Sequence, residues 1–181
     1  MTKFIFVRHG ESESNKAGIL SDPHTRLTEQ GVEQAHKTGR DLIGKGIKII
    51  ACSKYVRAQQ TAEAIAAELG IDIEHIKVID TLHERSMGNL EGKPRQHPPT
   101  WYFTVEGPEF EPRSNILKRS YETLETIKEL SKQGLVMVVG HGLSGFYLLH
   151  AAKGITDVKD IPEAVLMTNA EFTEVEIKDG K

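Results

Sequence analysis

Residues 4–15 read FIFVRHGESESN. Phe4, Ile5, Phe6 and Val7 form an unbroken apolar run, the pattern of a short buried strand. The run ends on Arg8, and His9, Gly10 and Glu11 follow at once. A strand end that delivers a guanidinium and an imidazole side by side into a glycine turn has two readings. One is a charged surface loop. The other is a place where something anionic is held and attacked. The rest of the chain decides between them.

Strand-like and helix-like stretches alternate after this opening. Residues 28–43 predict a helix, with Thr28 as N-cap and Val32, Ala35, Gly39, Leu42 and Ile43 on one stripe. Residues 47–51 predict a second strand, and 55–69 a helix that turns Ala58, Ala62, Ile65, Ala66 and Leu69 inward and stops at Gly70. Ile76–Ile79 reads as a short strand. Helical spacing returns over 113–132, then Leu135–Val139 forms the most apolar strand, then 143–153 reads as helix. The tail from Glu171 to Ile177 is β-prone and polar, as an edge strand would be. Repeated strand–helix units predict an α/β fold: a single three-layer α/β/α domain over 1–181, its mostly parallel central sheet flanked by helices. Residues 92–112 break the pattern with Pro94, Pro98, Pro99, Pro108 and Pro112, around Trp101, Tyr102 and Phe103. Such a segment is a disordered insert or a lid, and three adjacent aromatics favour the lid.

The bulk numbers fit an ordinary globular domain. The chain has 181 residues, 38% hydrophobic and 27% charged, enough to bury a core without staples. A formal net charge of −3 argues against a nucleic-acid protein. Cys52 is the single cysteine, so no intrachain disulfide forms, and it is expected as a buried strand-end thiol. The apolar run before Arg8 is too short for a signal peptide, and no run approaches a membrane span, so a cytoplasmic location is expected. The tail offers a sheet edge, and no residue pattern demands an oligomer.

In open α/β sheets ligands bind beyond the carboxyl ends of the strands. The first strand ends in Arg8-His9-Gly10-Glu11. After the second comes Ser53 through Thr61 with Arg57 inside it. After Ile79 comes Leu82 through Gly92, with Glu84. After the apolar strand comes Gly140-His141-Gly142. Two arginines, two histidines and a glutamate could converge there, and the two arginines and two histidines suit a dianion such as a phosphate monoester.

In this order, Arg8-His9-Gly10-Glu11, Arg57-Ala58 with Thr61, Glu84 before Gly88 and Glu91-Gly92, and Gly140-His141-Gly142 resemble the histidine phosphatase superfamily, in its phosphoglycerate-mutase-like branch. Leu27-Thr28-x-x-Gly31-x-x-Gln34-Ala35 fits as well. The resemblance implies phosphoryl transfer through a covalent phosphohistidine on His9. It implies that Arg8, Arg57 and His141 hold the phosphoryl oxygens, with His141 donating, and that Asn15 touches them. Glu84 matches the acid/base position, with Glu91 and Glu11 as alternatives and Glu11 better suited to a turn or helix start. Gly142 lies where a helix N-terminus adds to an anion site. No metal or cofactor is expected, since arginines and histidines take the charge-stabilising role. His24, His36, His75, His83, His97 and His150 show no metal-ligand spacing and read as ordinary polar residues, and Arg85 and Arg113 as solvated.

Two activities start from the same phosphohistidine. Glu84-Arg85-x-x-Gly88-x-Leu90 resembles the mutases. Glu91 before Gly92 resembles the phosphatases, and the short segment 92–112 lacks the mutases' adjacent arginine pair. A metal-independent phosphomonoesterase acting on a small phosphorylated metabolite is therefore the expectation, ahead of a cofactor-dependent phosphoglycerate mutase. Lys93 and Arg95 are expected to bind substrate, and the aromatics of the segment to cover it or to pin the segment down. A silent phosphoryl-binding module would lack His9, Arg57 or His141, and all three are present. A metal-binding histidine protein would lose activity on chelation.

Overall fold

The computed structural model describes residues 2–163 and 165–178; the expected 1–181 domain otherwise includes residues 1, 164 and 179–181, which lie outside it. Five strands form one sheet: β1 (Thr2–Arg8), β2 (Ile47–Ser53), β3 (Lys77–Ile79), β4 (Leu135–Gly140) and β5 (Phe172–Ile177). Their order is β3-β2-β4-β1-β5. The first four run parallel, and β5 pairs antiparallel with β1 at one edge. The helices are α1 (Glu13–Ala17), α2 (Glu29–Asp41), α3 (Val56–Leu69), α4 (Pro99–Thr104), α5 (Arg113–Ser131) and α6 (Gly142–Ala152).

The three-layer expectation is met, and the strand sequences explain it. Side chains alternate across a sheet with period two. Phe4, Phe6, Ala51, Val136 and Val138 face one way and pack with Ile116, Leu124 and Ile127 of α5 and Leu148 and Ala151 of α6. Ile5, Val7, Ile50, Cys52, Met137 and Val139 face the other way, onto Ala58, Ala62 and Ile65 of α3 and Leu42 beyond α2. Because both faces are covered, β1 and β4 read as continuous apolar runs. Cys52 is fully buried, and burial pushes its thiol up to about 12, as expected of an inert thiol.

Two close approaches set the position of the site. A Cβ on Gly10 would stand 2.3 Å from the Gly31 carbonyl oxygen, and one on Gly31 would stand 2.0 Å from that of Glu11. Only glycines let the turn after β1 lie directly on the start of α2. On the other face, a Cβ on Gly145 would stand 2.2 Å from the Phe6 ring, so α6 presses against β1 through that glycine. Among the described residues, no helix is long and apolar enough to cross a membrane.

Candidate active site

Parallel register brings the two histidines together. Arg8 pairs with Gly140, and the His9 amide continues the ladder to the Gly140 carbonyl at 3.0 Å. His9 and His141 therefore leave adjacent strands at one level, and their ring centroids lie 5.3 Å apart. Arg57, in the first turn of α3, is 1% exposed and reaches the same point. Its Nε–H donates to His9 Nε2 at 3.2 Å, one terminal nitrogen donates to the Asp22 carbonyl at 2.8 Å, and the guanidinium lies 5.2 Å from the Tyr55 ring centre.

The His9 turn is held from several sides. His9 Nδ1 lies 2.7 Å from the Gly10 carbonyl oxygen, which can only accept, so Nδ1 carries the proton and Nε2 keeps its lone pair. The Gly10 amide donates to Thr61 Oγ1 at 3.1 Å. The Ala170 amide and the Asn169 side chain both donate to the His9 carbonyl, each at 3.1 Å. Asn169 also donates to Asn15 Oδ1 at 3.2 Å, the same oxygen that accepts the Ser12 amide in the capping box of α1. Ala170 sits at φ 59, a left-handed conformation that costs about 1–2 kcal/mol for an alanine. Its carbonyl accepts the Thr38 hydroxyl at 2.7 Å, so both backbone groups are fixed by partners.

The site is positive. Burial, and then the Arg57 and Arg8 charges, hold the His9 imidazole well below its ordinary range. Burial, then Arg57 and His9, do the same to His141. Burial also lowers Arg8 and Arg57, though guanidiniums stay protonated. Arg8 donates one terminal N–H to the Met167 carbonyl. Among the described residues, Arg8 Nε and His141 Nδ1 are buried without a hydrogen-bond partner. An unpaired buried donor such as the Arg8 Nε–H is costly, and an anion beside His9 would relieve it. A cavity of about 190 Å³ opens here. Its walls include Arg8, His9, Asn15, Arg57, Glu84 and Gly142, with Arg95 and His97. His141 lies behind this wall, fully buried.

Glu84 caps α6. Its Oε2 accepts the Leu143 amide at 3.0 Å, and its Oε1 accepts the amides of Ser144 at 2.7 Å and Arg85 at 2.9 Å. His141, the N-cap residue, makes no side-chain cap, which leaves those amides to Glu84. Glu91 and Glu11 do not line this cavity. Glu91 Oε1 accepts Ser86 Oγ at 3.0 Å and the Met87 amide at 2.9 Å. Glu11 Oε1 accepts the Thr28 hydroxyl at 2.8 Å, a turn role. Lys93 stands off the cavity wall with its side chain exposed, while its carbonyl accepts the Leu20 amide at 2.9 Å.

Comparison with known proteins identifies the family. Residues 4–181 match the histidine phosphatase superfamily (branch 1). The chain belongs to that superfamily. It is 32% identical over 168 residues to a probable phosphoglycerate mutase, GpmB, of Yersinia pestis, covering 86% of this chain and 76% of that protein. Its fold matches a mycobacterial glucosyl-3-phosphoglycerate phosphatase with VO3 at a TM-score of 0.81, with 22% identity and coverage of 96% and 90%. It matches Bacillus stearothermophilus YhfR at 0.82, with 24% identity and coverage of 99% and 93%.

Around this centre, the chain carries features the sequence did not disclose. Segment 92–112 is not an irregular loop: it contains α4, started by Pro99, with Tyr102 and Phe103 buried. Tyr102 lines the cavity while its hydroxyl accepts the amides of Gln96 at 3.1 Å and His97 at 3.3 Å. His97 stacks on Trp101 at 4.0 Å between ring centres. Arg85, expected in solvent, is 3% exposed. It donates to the carbonyls of Tyr102 at 2.9 Å, Val105 at 2.6 Å and Glu111 at 2.9 Å, clasping the end of α4. Arg113 is half-buried and donates to the Tyr147 hydroxyl at 2.7 Å. Arg119 and Glu111 form a pair with both side chains 7% exposed. Arg119 also donates to the carbonyls of Thr81 at 2.7 Å and His83 at 2.6 Å, directly before Glu84. Neither partner carried a sequence signal, because their meeting depends on where the loop after β3 returns to α5. Asn169 was likewise invisible, a lone polar residue before an edge strand.

Proposed function

We propose that this protein is a phosphomonoesterase that works without a metal ion, through a phosphohistidine on His9, on a small phosphorylated metabolite. The observation that carries the reading is His9 itself. Nδ1 is held by the Gly10 carbonyl at 2.7 Å, Nε2 meets the Arg57 Nε–H at 3.2 Å, the His141 ring centre lies 5.3 Å from that of His9, and Arg8 lines the same cavity. A neutral imidazole with an oriented lone pair is a nucleophile, and guanidiniums fixed around it stabilise charge on a transferring phosphoryl group.

The steps follow from those positions. A phosphoryl oxygen takes over the Arg57 Nε–H that now meets His9 Nε2, and other oxygens take the Arg8 and His141 donors. Nε2 forms a bond to phosphorus in line with the departing oxygen, and the P–O bond to the alcohol breaks. The Glu84 carboxyl gives its proton to that oxygen, at the mouth of α6. The alcohol leaves, and water enters the open cavity. Glu84 takes a proton from the water as it attacks phosphorus, and the P–Nε2 bond breaks to return His9 and inorganic phosphate. Asn15 and the Gly142 end of α6 sit where they can add hydrogen bonds to the phosphoryl oxygens. Among the alcohol-side groups, Arg95 on the wall suits a second anionic group, and Tyr102 and Phe103 supply apolar cover.

Phosphoglycerate mutase is the rival, favoured by the name of the 32% identical relatives. One assay separates the two: phosphate release and product identity on a panel of phosphomonoesters, with EDTA present and with His9→Ala. The proposal expects phosphate release that survives EDTA and vanishes in His9→Ala. Isomerised phosphoglycerate without phosphate release makes the protein a mutase, and activity abolished by EDTA gives the chemistry to a metal.

A further inference from the structure

Behind the cavity wall, Ser53 Oγ lies 2.8 Å from His141 Nε2, and both residues are 0% exposed. Ser53 is the last residue of β2 and follows Cys52, whose partner on β4 is Val139, two residues before His141. The same oxygen accepts the Tyr55 amide at 3.3 Å. A hydroxyl has one proton to give, and this one is shut away from water. Among the described residues the acceptor within its reach is His141 Nε2. A nitrogen that accepts carries no proton, so the neutral ring has its proton on Nδ1. Nδ1 is the atom left buried without a partner.

We infer that Ser53 is a positioning residue: its hydroxyl fixes His141 as the Nδ1–H tautomer, so that a neutral ring already presents a donor to the phosphoryl group. The catalytic half of this inference rests on the phosphatase reading, and the tautomer half does not. The surroundings oppose the other way of making a donor, which is protonation of the ring. Arg57 from α3, His9 from the end of β1, Arg119 from α5 and His83 from the loop after β3 all face His141, with the Tyr55 ring centre 5.3 Å away. Together with burial they keep the ring uncharged. A neutral imidazole donates from only one nitrogen, and without Ser53 nothing chooses which.

The test is long-range 1H–15N correlation on the full chain labelled with 15N-histidine, at a pH where His141 is neutral. The wild-type ring is expected to show the Nδ1-protonated pattern. Ser53→Ala is expected to shift it toward the Nε2-protonated form and to lower kcat on a phosphomonoester by roughly 10- to 100-fold, with less change in KM. Ser53→Thr keeps the hydroxyl and should retain both the pattern and the rate. An Nε2-protonated wild-type ring overturns the inference, even if Ser53→Ala fails to fold. So does a Ser53→Ala protein whose pattern and kcat are unchanged. A wild-type protein that shows the Nδ1–H pattern and hydrolyses no phosphomonoester defeats the functional proposal and leaves the tautomer assignment standing.

Discussion

The Nε–H of Arg57 points at Nε2 of His9 across 3.2 Å, so the guanidinium proposed to grip the phosphoryl group covers the lone pair of the proposed nucleophile. One hydrogen bond thus reports two things. It keeps His9 in the tautomer that can attack, and it is the bond a phosphoryl oxygen must replace. Arg57→Lys keeps a positive charge but loses both the Nε–H and the fork that also reaches Asp22. The expected outcome is a fall in kcat of roughly 10²–10³-fold, measured as steady-state phosphate release. A rate within twofold of wild type would mean that charge alone suffices.

Acid should weaken the fold before it protonates ordinary carboxylates. His9 and His141 are both held well below the usual imidazole value, by burial first and by Arg57 next. In the unfolded chain both rings take up protons near about pH 6.5. The unfolded state then binds more protons than the native one, so unfolding free energy falls as pH falls. Urea unfolding at a series of pH values should show stability level above about pH 7.5 and declining below about 6.5, by up to about 1.4 kcal/mol per pH unit for each ring. His141→Gln should shallow that decline. A curve that is flat to pH 5 would place protons on the rings in the folded protein.

In the proposed mechanism Glu84 serves two steps, and its loss should separate them. With an aryl phosphate the leaving phenolate needs little help, so Glu84→Gln should still release close to one equivalent of phenol in a first burst. The later steps need a base for water, so steady turnover should fall by roughly 10²–10⁴-fold. Stopped-flow release of the phenol from 4-nitrophenyl phosphate reads both phases. Loss of burst and turnover together would give Glu84 a binding role only.

The buried Arg119–Glu111 pair joins three parts of the molecule: α5, the end of segment 92–112, and the Thr81–His83 carbonyls before Glu84. Burial works against the Glu111 carboxylate, but the Arg119 hydrogen bond and charge outweigh it and hold it below the usual range. Glu111→Gln leaves a buried guanidinium with its carbonyl partners and no counter-charge. Thermal and urea unfolding should show a loss of about 3 kcal/mol. An unchanged unfolding midpoint would mean that water reaches the pair.

Much of this site could be read from the sequence, and the reason is geometric. Ligands collect at the carboxyl ends of parallel strands, so Arg8, His9 and His141, each next to an apolar run, could be placed before any coordinates. Arg57 followed from the helix after β2. What escaped were residues whose role comes from a distant partner. Arg85 looked solvated because nothing local shows that three carbonyls of segment 92–112 surround it. Helix α4 is only six residues long and lies among prolines. Too short to be stable alone, it depends on the Arg85 clasp and the Tyr102 hydroxyl, which local pattern cannot reveal. Asn169 and Ala170 hold the His9 carbonyl from the far end of the chain, Asn169 across 160 positions. Ser53 stood just past the end of the second expected strand, but only the fold shows that its hydroxyl meets His141.

The central claim is that phosphorus is transferred twice, first to His9 Nε2 and then to water. The most direct measurement is the stereochemical course at phosphorus, followed with a monoester made chiral by oxygen isotopes and with an alcohol as the final acceptor. Two in-line displacements each invert, so the account predicts net retention, with no turnover in His9→Ala. Net inversion would mean a single direct displacement and would contradict it.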